Sequence, residues 1–386
     1  MTLSKMRILW IPHAGWHIPQ RAHLFCRKLS EYHEVHVTDW VADFSHPLDY
    51  LSRRYLKNFI YRSYKDGSIY VHGIPRISPA LFSSGLRRLN RRVFSHYVQR
   101  IIEENQIDVV VGTFVVPPPE AKRLIFDLFD ENVAGWRQSG RFNEYADEIA
   151  EVEYQYLTTA DAVVAASTVL FDKASRAAPD QPVHLIPNGI DLRAYESADG
   201  ALFRSKIQLD GKLIGMVGTH EKRYEMELVL NAAKLMSDDH VTFLIAGRGS
   251  QLAWAEQEAR RLKLKNVRFH GHIPFEQLPS VMSALDVGLC AYQKSEMDDA
   301  RSPMRLFSYL AAGTPAVCTD LTSVRELDME NVVLVHDTPE CVAEGIRQAL
   351  LGTRERPRSL CKFDLPRLVN QYEQVLAGQE IPLAYN

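Results

Sequence analysis

The chain has 386 residues, a length that suits two α/β domains of roughly 180 residues each better than one large domain. Hydrophobic residues make up 46% and charged residues 24%, so each half can bury a core of its own, as a globular protein requires. The formal net charge of -3 gives no general reason to expect a nucleic-acid partner.

The five cysteines are scattered and form no C-x-x-C pair, which argues against a disulfide framework and a structural zinc site. Cys290 and Cys318 stand in apolar runs, so we expect them to be buried free thiols. The first apolar stretch is interrupted early by Pro12 and His13, which argues against a signal peptide, and no run of about 18 apolar residues follows. These features predict a cytoplasmic protein.

Short apolar runs alternate with longer helical patterns along the whole chain, as in a protein with buried parallel strands. In the first half, the predicted strands are MRILWIP, EVHVTDW, IDVVVGT, RLIFDLF, DAVVAAS and PVHLI. In the second half, they are KLIGMVG, VTFLIAG, NVRFHG, DVGLCAY, TPAVCT and NVVLVH. The predicted helices include 20–30, 144–159, 225–235, 251–262, 278–284, 305–312, 339–351 and 365–376.

Two successive β/α series predict two doubly wound domains, each with its ligand loops at the carboxyl ends of its strands. We place the join at IPNGID (186–191), where Asn188-Gly189 supplies a turn able to adopt positive φ. The expected domains are residues 1–187 and 188–364, followed by a segment, 365–386, whose helix crosses back to the first domain. A ligand with phosphates is expected in a cleft between the two domains, because helix N-termini there offer free N–H groups.

Local charge is less even than the total. Residues 51–100 hold eleven Lys or Arg against one acid, Asp66, a formal excess of ten positive charges, with Tyr, Phe, Ile and Leu interleaved. Such a patch attracts anionic surfaces, at about 1 kcal/mol per cation near an acidic bilayer. The segment therefore predicts peripheral contact with an anionic membrane. The alternative is a solvated helical face that is balanced by acids elsewhere in the fold.

Two glycine loops follow predicted strands in the second half. Gly218 and Thr219 end the first of these strands, where a glycine lets the backbone approach a pyrophosphate closely, and Lys222 and Arg223 follow. The second loop, Ala246-Gly247-Arg248-Gly249-Ser250, has the same character but lacks the third glycine of a dinucleotide-binding fingerprint, so we exclude a dehydrogenase. An ordinary βα turn is the alternative for each loop.

The stretch RSPMRLFSYLAAGTP (301–315) predicts a capped helix followed directly by a buried strand. Ser302 suits the N-cap and Pro303 the first helical position, so the helix would present free N–H groups to an anion beside Arg305. The ending AAGTP predicts the helix stop. Just before this stretch, Asp298-Asp299 has the spacing of paired metal-binding acids, but here a solvated loop is the better interpretation, and we predict no metal site.

Several of these segments, in this order, resemble family 4 of the glycosyltransferases, which are retaining enzymes of the GT-B fold. The matching pieces are IPNGID, RFHGHIPFEQLPSVMSALDVGLCAY and SPMRLFSYLAAGTPAVCTD, and in the first half FDLFDENVAGW and EYQYLTTADAVVAAS. Within the family, the chain looks closest to the branch of teichuronic-acid and capsule glycosyltransferases. The resemblance implies two Rossmann-like domains facing each other across a cleft. It also implies transfer of a hexose or similar sugar from a UDP-, GDP- or dTDP-linked donor, without metal or cofactor, in polysaccharide biosynthesis.

Carried over to this chain, the resemblance implies a donor site in the second half. Gly218, Thr219 and Gly247 would lie against the donor diphosphate with Lys222 and Arg223 nearby, and His270, Gly271, His272 and Ile273 would border the nucleobase. Ser302, Met304 and Arg305, at the helix start, would neutralise the phosphates as the leaving group departs.

The acceptor side is implied in the first half. Asp127, Asp130 and Glu131 fall where the family faces acceptor and sugar, and the loop with His13, Gly15 and Trp16 follows the first strand. Asp130 and His13 are therefore candidate catalytic residues beside Arg305. His13 could act as an acid or base or bind a sugar hydroxyl, whereas a lone histidine is more often structural. Trp16 could stack on a sugar ring or pack in the core.

Two departures from the family pattern leave alternatives open. The usual pair of glutamates is replaced by Ala300 and Ser308, of which Ser308 stands where the family holds the ribose. The usual Arg and Lys of the phosphate loop are replaced by Thr219 and Tyr224. A non-catalytic relative that serves as a partner subunit or sugar-binding module is the first alternative, and a nucleotide-sugar epimerase is the second.

Overall fold

The computed structural model describes residues 4–16, 20–40, 57–78, 80, 83–138, 140, 142–209 and 211–381. The described residues form two compact units, one up to Pro187 together with 366–381, and one from Asn188 to Leu365. The predicted boundaries fall after residues 187 and 364.

The first unit is built on an eight-stranded sheet in the order β3-β4-β2-β1-β5-β6-β7-β8. All neighbouring strands are parallel except β3 and β4. The strands are β1 (Arg7–Trp10), β2 (Glu34–Asp39), β3 (Arg62–Asp66), β4 (Ile69–Gly73), β5 (Val109–Gly112), β6 (Leu124–Leu128), β7 (Ala162–Ala165) and β8 (Val183–Leu185). The six strands predicted in this half are all present.

Helices cover this sheet because its strands have few polar side chains to face water. They are α1 (Arg21–Leu29), α2 (Ser84–Glu104), α3 (Asn132–Gln138), α4 (Asn143–Thr159) and α5 (Thr168–Ala177). The last helix of the chain, α14 (Leu365–Leu376), also packs here: its fully buried Tyr372 lies 5.1 Å, ring to ring, from Trp10 of β1.

The hairpin of β3 and β4 was not predicted, and it lies inside the basic segment 51–100. The edge strand β3 reads RSYKD and has no buried residue, so no apolar run marks it. A two-residue turn joins the strands, with Gly67 at φ 62°, a value that glycine adopts without strain. The alternative interpretation of the segment as a solvated helical face therefore does not hold over 62–73, where the chain forms a hairpin. Residues 51–56, 79, 81 and 82 of the segment lie outside the described residues.

The second unit is built on a six-stranded parallel sheet in the order β11-β10-β9-β12-β13-β14. Its strands are β9 (Lys212–Thr219), β10 (Val241–Arg248), β11 (Val267–His270), β12 (Val287–Cys290), β13 (Ala316–Thr319) and β14 (Val332–Val335), all six predicted. Its helices are α6 (Gly200–Ile207), α7 (Arg223–Leu235), α8 (Leu252–Arg261), α9 (Leu278–Ala284), α10 (Glu296–Asp299), α11 (Met304–Ala311), α12 (Thr322–Arg325) and α13 (Pro339–Leu351). Cys290 and Cys318 are buried free thiols, as predicted.

The start of α11 differs from the prediction. Its N-cap is Pro303, without a side-chain cap, and the helix begins at Met304. The Ser302 hydroxyl instead accepts a hydrogen bond from the backbone N–H of Asn188 at 3.0 Å, and the Asn188 amide donates to the Ser302 carbonyl at 2.7 Å. Neither Asn188 nor Gly189 takes a positive φ. The IPNGID motif thus anchors the loop before α11 rather than forming the predicted turn.

The strands β9 and β10 approach each other closely at their carboxyl ends. Gly247 has φ 134°, and a Cβ built on it would lie 1.8 Å from the Gly218 carbonyl oxygen. Gly218 itself has φ 138°. Only glycine fits at position 247, because the obstructing atom belongs to the backbone and cannot move aside.

A buried ion pair joins α1 to β6 in the first unit. The Arg21 guanidinium donates to both carboxylate oxygens of Asp127 at 3.1 and 3.2 Å, and also to the carbonyls of Pro187 and Ile186 at 3.0 and 2.9 Å. The Arg21 and Asp127 side chains are only 4% and 3% exposed. Asp127 therefore holds the fold together and is not a surface acid.

None of the described helices is both long and apolar enough to cross a membrane.

We expect Arg21→Ala to lower the free energy of unfolding by about 3–5 kcal/mol, because Asp127 would be left buried without its counter-charge. The matched control is Arg27→Ala on the same helix, whose partner Asp66 lies at the surface, and it should cost no more than about 1 kcal/mol. Urea unfolding measures both. Equal losses for the two variants would contradict the structural role of the Arg21–Asp127 pair.

We expect Gly247→Ala to destabilise the chain by more than about 3 kcal/mol, because it combines a positive φ with a backbone clash. Gly271→Ala is the control, since a Cβ there would meet nothing within 4 Å, and it should change stability by less than about 0.5 kcal/mol. Thermal unfolding of both variants measures the difference. A Gly247→Ala protein as stable as the parent would show that the close approach of β9 and β10 is wrong.

Candidate functional site

Each sheet has one point where the chain reverses its winding direction. In the second unit, β9 lies between β10 and β12, and in the first unit β1 lies between β2 and β5. In sheets of this kind, ligands bind beyond the carboxyl ends of the two strands that flank the reversal. The loops after β9 and β12 and those after β1 and β5 are therefore the places to look for bound ligands.

At the reversal of the second sheet, the structure brings together several residues predicted to bind the donor. Gly218 and Thr219 end β9, Gly247 lies beside them on β10, and its N–H donates to the Gly271 carbonyl at 3.1 Å. The Thr219 side chain is exposed. A loop with glycine at this position leaves its backbone open to close approach by a ligand.

Arg305, the second residue of α11, reaches this loop. Its Nη2 donates to the Thr219 carbonyl at 3.3 Å, and its Nη1 is buried without a hydrogen-bond partner among the described residues. Burial alone would lower the pKa of Arg305, but the nearby Tyr292, Tyr309 and Glu225 more than offset this effect and raise it above its usual value. The guanidinium therefore stays charged while one of its donors is unsatisfied.

The N-terminus of α11 is held against the sheet by Tyr309, whose ring is fully buried. Its hydroxyl accepts from the Val217 N–H at 3.1 Å and donates to the Gly215 carbonyl at 3.0 Å, both on β9. The first amides of α11 lack a side-chain cap. The uncapped helix start, Arg305 and the β9 loop thus share one location, which favours an anion.

The prediction that Asp298-Asp299 is a solvated loop is wrong. Asp298 is fully buried and accepts from Lys222 at 2.8 Å, from Arg301 at 2.5 Å and from the Ser295 hydroxyl at 2.7 Å. Burial alone would raise the pKa of Asp298, but Arg301 and Lys222 together lower it below its usual value. The carboxylate therefore stays charged and offsets Lys222, which was predicted to contact the donor.

Other predicted donor residues have different surroundings. Arg223 is bound to Glu227 at 3.0 Å on its own helix and lies 4.3 Å from the centre of the Trp254 ring, so it is engaged at the surface. The Ser308 hydroxyl donates to the Met304 carbonyl at 3.0 Å. The ring of His270 is half-buried beside that of Phe203, His272 is exposed, and Ile273 is buried in the core of the unit.

Two residues predicted on the acceptor side serve the fold instead. Glu131, 5% exposed, binds Lys173 at 2.6 Å, and the same lysine binds the buried Glu153 at 2.6 Å. Trp16 is 4% exposed, stacks on His23 at 3.8 Å and donates its indole N–H to Asp66 at 2.9 Å. The predicted acceptor contacts of Asp127 and Glu131 are therefore contradicted by their burial, Asp130 stays a candidate, and of the two interpretations of Trp16 the structure favours packing in the core.

His13 and Asp130 lie in the loops that follow β1 and β6, and the predicted Gly15 is buried in the former. The His13 ring stacks on Phe129 at 4.1 Å. Burial lowers the pKa of His13 to about 4, so at neutral pH the imidazole is uncharged and is a weak base. Asp130 is half-buried and accepts from the Glu131 N–H at 3.0 Å.

Near His13, the first unit has a cavity of about 120 Å³ that the sequence analysis missed; we name it the arginine pocket. Its lining includes arginines, aromatic rings and polar groups: His13, Trp40, Arg76, Arg87, Asn90, Arg91, Phe94, Phe114 and Tyr145. Four of these, Arg87, Asn90, Arg91 and Phe94, stand at i, i+3, i+4 and i+7 on α2. That spacing was visible in the sequence and marks one face of a helix.

Comparison with known proteins supports the sequence resemblance. Residues 211–351 match the family model described as Glycosyl transferases group 1. A Bacillus subtilis protein named as a teichuronic acid biosynthesis glycosyltransferase, TuaH, is 26% identical over 208 residues, or 52% of this chain and 50% of its own. An Escherichia coli protein named as a colanic acid biosynthesis glycosyl transferase, WcaI, is 28% identical over 287 residues, or 71% of this chain and 65% of its own. The chain thus spans half to two thirds of these relatives.

Solved structures share the fold over almost the whole chain. Sucrose-phosphate synthase from Thermosynechococcus elongatus has a TM-score of 0.75 at 15% identity, with 97% of this chain and 100% of that chain covered. HepE from Anabaena, solved with UDP-glucose, has a TM-score of 0.67 at 17% identity, with 97% and 100% covered. The chain therefore has the GT-B fold of two Rossmann-like units, and its residues 211–351 form a domain of the group 1 glycosyl transferase family.

Proposed function

We propose that this protein is a glycosyltransferase that moves a hexose or similar sugar from a nucleoside diphosphate to an acceptor. The observation that carries the proposal is the Arg305 guanidinium, which lies at the reversal of the second sheet and whose buried Nη1 has no partner in the described part of the chain. A buried donor of this kind lowers the free energy of a bound anion, because its own desolvation has already occurred on folding.

The proposed chemistry follows from where charge develops. When the bond between the sugar and the diphosphate breaks, negative charge grows on the leaving diphosphate. Arg305 and the uncapped amides of α11 would face that charge, and Gly218 allows the β9 backbone to lie against the same phosphates. Lys222 contributes less, because Asp298 already neutralises it.

We further propose that transfer proceeds with retention, without a protein nucleophile and without metal. Asp127 and Glu131, two of the acids predicted on the acceptor side, are buried in ion pairs with Arg21 and Lys173, so neither is placed to attack a sugar. Asp130 remains the candidate acid in this region. Arg305 and the α11 amides would stabilise the charge of the leaving diphosphate in place of a metal ion. We therefore expect activity to persist when EDTA removes divalent cations.

A non-catalytic nucleotide-binding role is the second candidate, and one observation favours it. Ala300 is fully buried and the Ser308 hydroxyl is bonded to its own helix, so neither position offers a carboxylate for the ribose. Thermal shifts with UDP, GDP and dTDP, followed by a screen of nucleotide-sugar turnover, separate the two functions. Binding without turnover of any donor would favour the second candidate.

We expect Arg305→Ala to lower kcat/KM for sugar transfer by about 100- to 1,000-fold, or about 2.7–4 kcal/mol, because the leaving diphosphate would lose its main cation. Arg223→Ala is the matched control: its guanidinium is bound to Glu227 on the surface of α7, and activity should stay within threefold. Steady-state kinetics with the preferred donor measure both. Arg305→Ala with turnover within threefold of the parent would remove Arg305 from this role.

We also propose peripheral contact with an anionic membrane through the outer face of α2. Arg88 and Arg92 are exposed there at i, i+4 spacing, and Leu89 between them is 44% exposed. Other cations of the basic segment are engaged: Arg100 pairs with Glu104, and Arg87 and Arg91 pair with Glu148. The attraction therefore depends on fewer charges than the sequence suggests.

We expect the double change Arg88→Glu and Arg92→Glu to reduce binding to anionic vesicles by roughly 30-fold or more, at about 1 kcal/mol per cation lost. Co-sedimentation at low salt measures the binding. The control is Arg260→Glu with Arg261→Glu, which reverses two exposed arginines on α8 and should leave binding unchanged. A parent protein that stays in the supernatant with anionic lipid would rule out the membrane contact.

A further inference from the structure

The arginine pocket lies at the reversal point of the first sheet. His13 follows β1 and Phe114 follows β5, the two strands that flank the reversal, and both residues line the cavity. Trp40 and Arg76, from the loops after β2 and β4, line it too. This is the position at which doubly wound sheets bind ligands, so the cavity has the location of a substrate site.

Positive charge dominates the lining of the pocket. Arg76, Arg87 and Arg91 contribute to it, whereas no acid is among its described lining residues. The carboxylates that pair with these cations stand beside the pocket: Arg87 binds Glu148 at 2.9 Å and Glu144 at 3.1 Å, and Arg91 binds Glu148 at 3.2 Å. Glu144 is 70% exposed, so solvent weakens its effect. The described lining itself therefore offers guanidinium groups and no carboxylate.

The rest of the lining is mainly aromatic. Trp40 and Phe94 are nearly fully buried and meet edge to face at 5.3 Å, and Arg87 lies 5.6 Å from the centre of the half-buried Tyr145 ring. Asn90 fixes the rim, because its amide exchanges hydrogen bonds of 2.9 and 2.7 Å with the backbone of Ile77. Aromatic walls lower the local dielectric and strengthen an Arg–anion contact. About 120 Å³ is enough for an oxyanion group with part of a ring.

We infer that the arginine pocket binds an oxyanion, a phosphate or a carboxylate, on the acceptor substrate, so that the acceptor is an acidic molecule rather than a neutral sugar. Arg76 and Arg91 would provide the contacts, and the aromatic walls would hold the adjoining ring or chain. The inference that the bound molecule is the acceptor depends on the proposed function. The inference that the pocket binds an oxyanion depends only on the residues that line it.

The test is calorimetric titration of the full chain with four probes that differ in charge and origin: a neutral hexose, a hexose 6-phosphate, a hexuronate and a short alkyl phosphate. We expect at least one acidic probe to bind tenfold or more tightly than the neutral hexose. Which acidic probe binds best distinguishes a free sugar phosphate, a uronic acid and a lipid-type phosphate. Affinity should also fall as salt rises.

Variants on one helix sharpen the test. Arg91→Met should weaken binding of the acidic probe at least tenfold, whereas Arg100→Met, at an exposed position of the same helix outside the pocket lining, should stay within twofold. Arg76→Met, from a different element, gives a second measurement should Arg91→Met fail to fold. Equal affinity for neutral and acidic probes, no binding of any probe, or unchanged affinity in both pocket variants would overturn the inference.

Titration of the same proteins with UDP, GDP and dTDP separates this inference from the proposed function. Nucleotide binding that persists while every acidic probe fails would overturn the oxyanion pocket and leave glycosyl transfer standing. The reverse result, an acidic probe bound through Arg91 with no nucleotide bound, would support the pocket and count against glycosyl transfer.

Discussion

The candidate site in the second unit depends on one constraint: the guanidinium of Arg305 stays charged while its buried Nη1 has no acceptor within the described ranges. An unsatisfied buried donor costs about 1–3 kcal/mol, so the fold must hold it there by other contacts. Tyr309, four residues after Arg305 on α11, provides them by bonding to the β9 backbone on both sides of Met216. The helix start therefore cannot retreat from the β9 loop.

Buried acids also shape the site, because they neutralise cations near Arg305 that would otherwise attract the same anion. Asp298 binds both Lys222 and Arg301, so these two positive charges are balanced within the protein. Burial raises the pKa of the nearby Glu225, although Arg305, Arg301 and Lys222 oppose the shift. The same principle operates in the first unit, where Asp127 fixes Arg21. Because an unpaired buried charge is costly, the role of each of these acids follows from the cation that it binds rather than from its position in the sequence.

The sequence predicted the parallel strands well because both faces of a covered sheet are apolar, and a run such as that of β5 needs no partner to be recognised. Sequence-based prediction was wrong where the structure of a residue depends on contacts with residues distant in sequence. The edge strand β3 has exposed side chains, so nothing in its composition distinguishes it from a loop. Ser302 is a residue type that suits an N-cap, but its hydroxyl instead accepts a hydrogen bond from the backbone N–H of Asn188, which is 114 residues away in sequence. Asp127 and Glu131 are acids in the expected region, but they form ion pairs with Arg21 and Lys173. These partners are distant in sequence, so the pairs could not be predicted from local sequence.

The two reversal points use arginine differently, and the difference has a functional meaning. Arg91 shares its charge with Glu148, so an oxyanion in the arginine pocket must compete with a carboxylate already in place. Arg305 makes its one described hydrogen bond to a neutral carbonyl, so an anion there meets a cation with no bonded carboxylate. Competition weakens binding and speeds release. A glycosyltransferase needs firm control of the charge on its leaving group, and it needs an acceptor that departs once it has become product. Under the proposed function, the cation without a bonded carboxylate would face the developing charge, and the cations shared with carboxylates would face the substrate that must leave.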